Sequence, residues 1–526
     1  MRIDIRNICS ERAESAGGNT VTYFRDGRTV RKSFREALAD VAAARRKLLA
    51  WGVEAGMRVG IRAPNSYEWM VFDLALTDLG AVTVAFTEDF AATPALELCH
   101  RYSLSLLLVS AAELEGLVSR PPFLAAIDGS DEGVAARPER RGSSTEYCLI
   151  FSSGSSGGLK GLSLNRAGVE ASIHALVEAV RPRVDDSLLI FLPFSNYQQR
   201  MMYYAALWYG FDLILADPPR LFRALKELHP TILIAPPALY EAIENRIRSA
   251  PRWRQILLRA AGHAIRCLRR GHRMRAARLV FSEVYETLGG SMRIMITGMA
   301  PTKGSTLRLF ELLQLPLYET YGLIEFGSVS LNVPGAYKRG SVGKLLPGVE
   351  ITFAFDGEII AHREPTLAHG YFECAPAESE RTFPGGNRVA TGDIGMLDRD
   401  GYLHLTGRKK EMIITASGKK IHPEEIEAAI DECPAVAKSV VFQTEDRTGL
   451  VAVIVAHDPR DESARQRIRG HIDRVNLLPR ATEITKVIFS ETPFSKENGL
   501  LRPNLKLDRK RIVQYFDPAR AESANV

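Results

Sequence analysis

Strand-like and helix-like segments alternate along most of this chain, and that alternation points to an α/β architecture built on parallel sheet. From residue 33, "SFREALADVAAARRKLLAWGV" carries apolar residues at helical spacing behind Ser33, a residue type suited to an N-cap. The short β-type run "RVGIRA" follows. Then comes "SYEWMVFDLALTDLG", helical as far as Gly80, and the apolar, β-branched "AVTVAF". Strand, helix and strand at this spacing build βαβ units. The rhythm returns in "EYCLIF", "DSLLIFLPF", "FDLILA", "PTILIAPP" and "SMRIMITG", with a helical stretch from about Arg166 to Val180. After residue 340, "GVEITFAFDGEIIAH" and "IGMLDRDGYLHLTGR" alternate around Asp-Gly turns, as hairpins do. Beyond Arg408 the chain reads as a small, charged α+β unit.

The chain has 526 residues, 46% of them apolar and 25% charged, enough to bury a large core without disulfides or metal. Its six cysteines, Cys9, Cys99, Cys148, Cys267, Cys374 and Cys433, form no CxxC pair. That argues against zinc and a disulfide framework, and it suits a reducing cytoplasm. The polar N-terminus lacks an apolar h-region, so no signal peptide is expected. No stretch reaches the about 18 apolar residues of a membrane span.

A net charge of +6 is mild for this length, and no nucleic-acid partner is expected. Much of the positive charge sits in "PRWRQILLRAAGHAIRCLRRGHRMRAARLVF", residues 251–281. This segment is either a solvated amphipathic helical insert or a basic face for an anionic membrane surface or an acidic carrier protein.

The stretch "FSSGSSGGLKG", residues 151–161, packs glycines and serines around Lys160 after a buried strand. Backbone N–H groups of such a loop can cradle phosphate, and a lysine adds charge. It is not a Walker A loop, because Leu159 rather than Gly precedes Lys160. On its own the segment reads equally as a turn.

Three motifs in order decide between these readings. "SSGSSGGLKG", "YETYGLIEFG" (318–327) and "TGDIGMLDRDGYLHLTGRKKEMIITASGKKIHPEEIE" (391–427) resemble the phosphate loop, the Tyr-Gly-x-Thr-Glu motif and the aspartate-hinge region of the adenylate-forming enzymes. That family includes acyl-CoA synthetases, luciferases and peptide-synthetase adenylation domains. "VFSEVYETLGGSMRIMITGMAP" (280–301), "LPFSNYQQR" (192–200) and "ENGLLRPNLKLDRKRI" (497–512) are similar to its long-chain fatty acyl-CoA synthetase branch.

The resemblance implies a large N-terminal adenylation domain, residues 1–408, of mostly parallel sheets flanked by helices with a β-barrel-like part. A small mobile α+β lid, residues 409–526, follows it. It implies ATP, Mg²⁺ and CoA as cosubstrates and cofactor, and a medium- to long-chain fatty acid as substrate. Ser152, Ser153, Gly154, Ser155, Ser156, Gly157 and Lys160 would hold the β- and γ-phosphates, and Glu325 would bind Mg²⁺. Tyr321, Gly322, Gly298 and Ala300 would line the adenine pocket; Asp393 would accept from the ribose hydroxyls and Arg408 would contact ribose or phosphate. Lys410 falls at the hinge, and Gly418 would line the pantetheine channel. The catalytic lysine of the lid would be Lys506, with Lys496 as the alternative.

The chain departs from the family pattern at Ile324, where Thr is usual, at Leu159, where Pro is usual, and at Asn196, where the long-chain branch carries His. With the basic segment 251–281, which could dock an acidic carrier, these departures keep two other outcomes open. One is a fatty acyl-AMP ligase that loads an acyl carrier protein. The other is a non-catalytic nucleotide- or acyl-binding homologue.

Overall fold

A computed structural model describes residues 3–12, 17–115, 122–128, 134–137, 146–153, 159–315, 317–415, 418–444, 449–477, 483–495, 497–501 and 507–517. Ser33 closes a capping box with Glu36 at the start of the helix Phe34–Ala50, and Gly80 ends the helix Tyr67–Leu79 in a left-handed conformation. Both ends agree with the punctuation of the sequence.

Among the described residues, the strands of the N-terminal region form sheets of nine, seven and four strands. The nine-stranded sheet has a parallel centre. There Ile294–Thr297 pairs with both Ile232–Ala235 and Leu317–Leu323. Its central strands are buried on both faces, which explains their near-continuous apolar runs. In Ser187–Ile190, Leu188 and Ile190 enter one core cluster and Leu189 the other. The larger cluster joins this sheet to the seven-stranded one through the helices Phe34–Ala50, Tyr67–Leu79, Arg166–Val180 and Tyr197–Tyr209.

The part expected to be barrel-like is a four-stranded antiparallel sheet holding Arg388–Leu397 and Leu403–Arg408. A bridge between Lys344 and Tyr402 ties it to the edge of the nine-stranded sheet. After Arg408 the cores separate. Two further apolar clusters contain only residues from Ile413 onward, around a three-stranded sheet that holds Val436–Gln443 and Leu450–Ala456.

The glycine- and serine-rich segment joins two antiparallel strands, Glu146–Ser153 and Leu159–Asn165. The helix Arg166–Val180 begins only after the second strand, capped by Asn165. The segment thus connects two paired strands, and the next helix follows the second strand rather than the segment itself. The basic segment 251–281 is two helices, Arg252–Cys267 and Arg270–Val280.

Candidate active site

Glu325, Tyr371 and Lys160 meet where the two large sheets touch. Glu325 sits in the tight turn between the strands Leu317–Leu323 and Gly327–Leu331. Tyr371 lies on Ala368–Phe372, the edge strand beside Leu159–Asn165, with Tyr371 opposite Leu162. Its hydroxyl donates to Glu325 Oε1 at 2.9 Å, and the Lys160 ammonium lies 4.9 Å from the centre of its ring. Burial, then the Glu325 charge, push the Tyr371 phenol above its ordinary range. It therefore remains a donor at neutral pH. Tyr371 carried no sequence signal, because its role depends on a strand pairing distant in the chain.

A second cluster forms where the four-stranded sheet meets the strand Leu317–Leu323. The Tyr321 hydroxyl donates to Asp393 Oδ2 at 2.8 Å, and Arg408 Nε lies 3.2 Å from Asp393 Oδ1. Asp393 and Arg408 face each other across an antiparallel pair. Burial, then the Asp393 charge, hold the Tyr321 phenol well above its ordinary value. The loop before Asp393 is braced from behind. Gly392 N donates to Glu358 Oε1 at 2.9 Å, and Lys409 Nζ reaches Glu358 Oε2 at 2.8 Å. One carboxylate thereby fixes both the aspartate loop and the segment entering the Lys409–Glu411 turn.

Two glycines permit close approach to and within the hairpin that carries Tyr321 and Glu325. A Cβ on Gly298 would sit 2.6 Å from Thr320 Cγ2, and one on Gly322 would sit 2.6 Å from the Gly327 carbonyl oxygen. Ala300 is exposed beside Met299, which holds a positive φ of 70°. Positive φ strains a residue with a long side chain.

Lys410 is exposed in the short turn after Arg408, and Gly418 is exposed with a φ of 77° and open space at its Cβ position. The C-terminal unit rests against the segment following Gly298. Lys303 donates to the Ala437 carbonyl at 2.5 Å, and Arg308 pairs with Glu432. Gly154, Ser155, Ser156, Gly157, Lys496 and Lys506 lie outside the described residues, as do the side chains of Ser152 and Ser153.

The departures from the family pattern have structural uses. Ile324 is half-buried and packs against the main core. Asn196 caps the helix Tyr197–Tyr209, accepting from Gln198 N at 3.2 Å.

Two buried arginines were not legible as site residues. Arg363 donates to the Phe326 carbonyl at 2.6 Å and to Ser172 Oγ at 2.5 Å, and so ties down the turn that carries Glu325. Its Nε and Nη1 are buried without a hydrogen-bond partner among the described residues. Arg200 instead pairs with Asp73, both fully buried, and Asp73 also accepts from Tyr203, Tyr204 and Thr83. Glu319, on the same strand as Tyr321, is pushed up to about 8 by burial, and its Oε2 has no partner among the described residues.

Sheets converging on two carboxylates, each held by a tyrosine, belong to an α/β fold shared with solved structures. An o-succinylbenzoate CoA synthetase (MenE) from Bacillus subtilis, in complex with an acyl-adenylate intermediate, aligns with a TM-score of 0.72 at 20% identity over 96% of this chain and 97% of that one. ATP-bound MatB from Rhodopseudomonas palustris aligns with a TM-score of 0.74 at 22% identity over 99% of this chain and all of that one, 100%.

The chain belongs to the AMP-binding enzyme family, which it matches over residues 9–371. It is 28% identical to long-chain-fatty-acid–CoA ligase FadD15 of Mycobacterium bovis, over 91% of this chain and 90% of that protein. It is 25% identical to human long-chain-fatty-acid–CoA ligase 1, over 87% of this chain and 77% of that protein.

Proposed function

We propose that this protein is an AMP-forming acid–CoA ligase whose substrate is a medium- to long-chain fatty acid. The observation that carries the proposal is the gathering of Glu325, Lys160, Asp393 and Arg408 around two tyrosines. This set provides charge for a triphosphate on one side and a carboxylate for a ribose on the other.

A carboxylate is a weak acylating agent. In the first half-reaction its oxygen attacks the α-phosphorus of ATP, the bond to the bridging oxygen breaks, and pyrophosphate leaves. In the second, a thiolate sulfur attacks the acyl carbon and the bond to AMP breaks. Such transfers depend on positioning and charge neutralisation more than on covalent help.

Lys160 would neutralise phosphate charge, together with the loop residues Ser152, Ser153, Gly154, Ser155, Ser156 and Gly157. Glu325 suits Mg²⁺, a hard cation that commonly takes one or two carboxylates and completes its shell with phosphate oxygens and water. Among the described residues no group of three or more His, Cys, Asp or Glu side chains is arranged to hold a metal ion, and such a site needs none. Bound Mg²⁺ would offset the charge that builds on the departing pyrophosphate.

Asp393, oriented by Tyr321, would accept from the ribose hydroxyls, with Arg408 beside it. Gly298 and Gly322 would line the adenine side, and each lacks a Cβ because one there would collide with Thr320 or with the Gly327 carbonyl. Tyr321 and Ala300 line the same pocket in this reading. An apolar pocket lined by Ile173, Val177, Met201, Met202, Ala205 and Ile296 lies beside the strand that leads to Gly298.

The unit 409–526 would turn about Lys410 between half-reactions, presenting Lys506 for adenylation and Gly418 along the pantetheine path for thiolation. Lys496 is the alternative to Lys506.

The test is pyrophosphate release with ATP, Mg²⁺ and fatty acids of graded length, with and without CoA. Release that requires a fatty acid, with acyl-CoA as product, supports the proposal. Acyl-adenylate that never passes to CoA would redirect it to a carrier-protein acceptor. Binding without any pyrophosphate release would mark a non-catalytic homologue.

A further inference from the structure

We propose that the two arginine-rich helices form a docking face for an anionic lipid bilayer. The stretch 245–282 holds eleven arginines and no Asp, Glu or Lys. Arg246, Arg248 and Arg266 lie near Glu283, Glu244 and Glu311. Among the described residues, Arg254, Arg259, Arg269, Arg275 and Arg278 make no ion pair, and all are exposed.

The helix Arg252–Cys267 has two apolar faces. The inner one, with Leu258, Ala261, Gly262 and Ile265, packs onto the core and onto the helix Gly304–Leu312. A Cβ on Gly262 would lie 2.4 Å from Leu312 Cγ, so this contact is close and fixes the helix against the body.

At 100° per residue, Trp253, Ile256, Leu257, Ala260, Ala264 and Cys267 fall within one arc of about 100° on the opposite side. All six are exposed, with Trp253 at 58%, Ile256 at 64% and Leu257 at 59%. Leu279 and Val280 on the next helix are also exposed apolar residues, at 80% and 53%.

An apolar stripe flanked by unpaired arginines is the composition of a helix that lies in a membrane interface. Arginine meets the lipid phosphates, and tryptophan suits the headgroup level. An acidic protein would answer the arginines alone. A bilayer interface answers both the charge and the exposed Trp253, Ile256 and Leu257. Among the described residues no helix is long and apolar enough to cross a membrane, so the contact is peripheral.

The face lies one helix away from the proposed site. Its inner side contacts Gly304–Leu312, which follows the loop carrying Gly298 and Ala300.

Co-sedimentation of the full chain with phosphatidylcholine vesicles, and with vesicles mixed in equal parts with phosphatidylglycerol, tests the proposal without any substrate. Its outcome is therefore separate from that of the ligase reading. Binding should require phosphatidylglycerol and fall with added salt. The combined variant Arg269→Glu, Arg275→Glu and Arg278→Glu should weaken it by roughly fivefold or more per residue. The combined variant Trp253→Ser, Ile256→Ser and Leu257→Ser should abolish it. Both variants should keep the parental melting temperature and pyrophosphate release with a soluble medium-chain acid. Failure to bind the anionic vesicles, or parental binding by both variants, would overturn the proposal. So would binding to an acidic carrier protein without vesicle binding, or a solution dimer that the triple serine variant dissolves.

Discussion

Two arginines are sealed inside this protein, and replacing each with methionine should have different effects. Arg200 and Asp73 are both fully buried, and Asp73 further accepts from two tyrosines and a threonine. Arg200→Met leaves that carboxylate without its counter-ion, at a cost of about 3–5 kcal/mol. Arg363 is only 2% exposed, yet its Nε and Nη1 find no partner among the described residues.

Burial lowers the Arg363 guanidinium from its ordinary value to about 10. A base lowered in this way binds its proton less tightly in the folded chain than in the unfolded one. The resulting penalty acts at every pH below about 10 and is relieved only above it. At about 1.4 kcal/mol per pKa unit the penalty is about 3–4 kcal/mol. Arg363→Met removes it. The same change strands the Phe326 carbonyl, which costs about 1–3 kcal/mol. The net change in stability should stay within about 2 kcal/mol of the parent.

Methionine cannot hold Phe326, the residue next to Glu325. A turn released by about 1 Å can lose on the order of 10²-fold in rate. Urea unfolding and pyrophosphate release, normalised to folded protein, read the two effects separately. A loss of stability as large as that of Arg200→Met, with turnover unchanged, would refute the reasoning. It would make Arg363 an ordinary structural residue.

Three further perturbations address the same region. Glu319, raised from 4.5 to about 8 by burial, stabilises the fold fully only below its unfolded pKa, and that contribution is lost as pH rises through 8. Glu319→Gln should therefore leave the melting temperature unchanged near pH 4 and raise it increasingly up to pH 8; a gain largest at low pH would contradict this assignment. Gly322→Ala places a Cβ 2.6 Å from the Gly327 carbonyl oxygen and 2.9 Å from Ser328 Cα. The expected cost is about 1–3 kcal/mol of stability and at least a tenfold drop in adenylation, and parental turnover would sink the idea. Ile324→Thr removes apolar packing against the main core, so its melting temperature should fall by an amount equivalent to about 1 kcal/mol. Its pyrophosphate release should rise if a hydroxyl here reaches the phosphates, and an unchanged rate would exclude that contact.

Much of the scaffold was legible because local chemistry wrote it. Ser33 and Gly80 bound helices through caps that depend only on neighbouring residues. Strands such as Ser187–Ile190 read as apolar runs because both faces are buried. The sequence between Lys160 and Asn165 was less clear. "LKGLSLN" alternates weakly, and only its pairing with Glu146–Ser153 and Ala368–Phe372 makes it a strand.

The site divides along the same line. Glu325, Asp393 and Arg408 stood in recognisable order along the chain. Tyr371, Arg363 and Glu358 act across sequence gaps of 46, 37 and 34 residues, on Glu325, Phe326 and Gly392 respectively. None of the three belongs to a motif, because each does its work by aiming another residue. A carboxylate that must meet a cation or a ribose is constrained by the ligand's chemistry and so by the chain's local pattern. The donor that steadies it need only arrive at the right place, and any strand that passes there can supply it. The sequence therefore displays the groups proposed to meet substrate more plainly than the groups that position them, and the latter are where mutation should separate rate from stability.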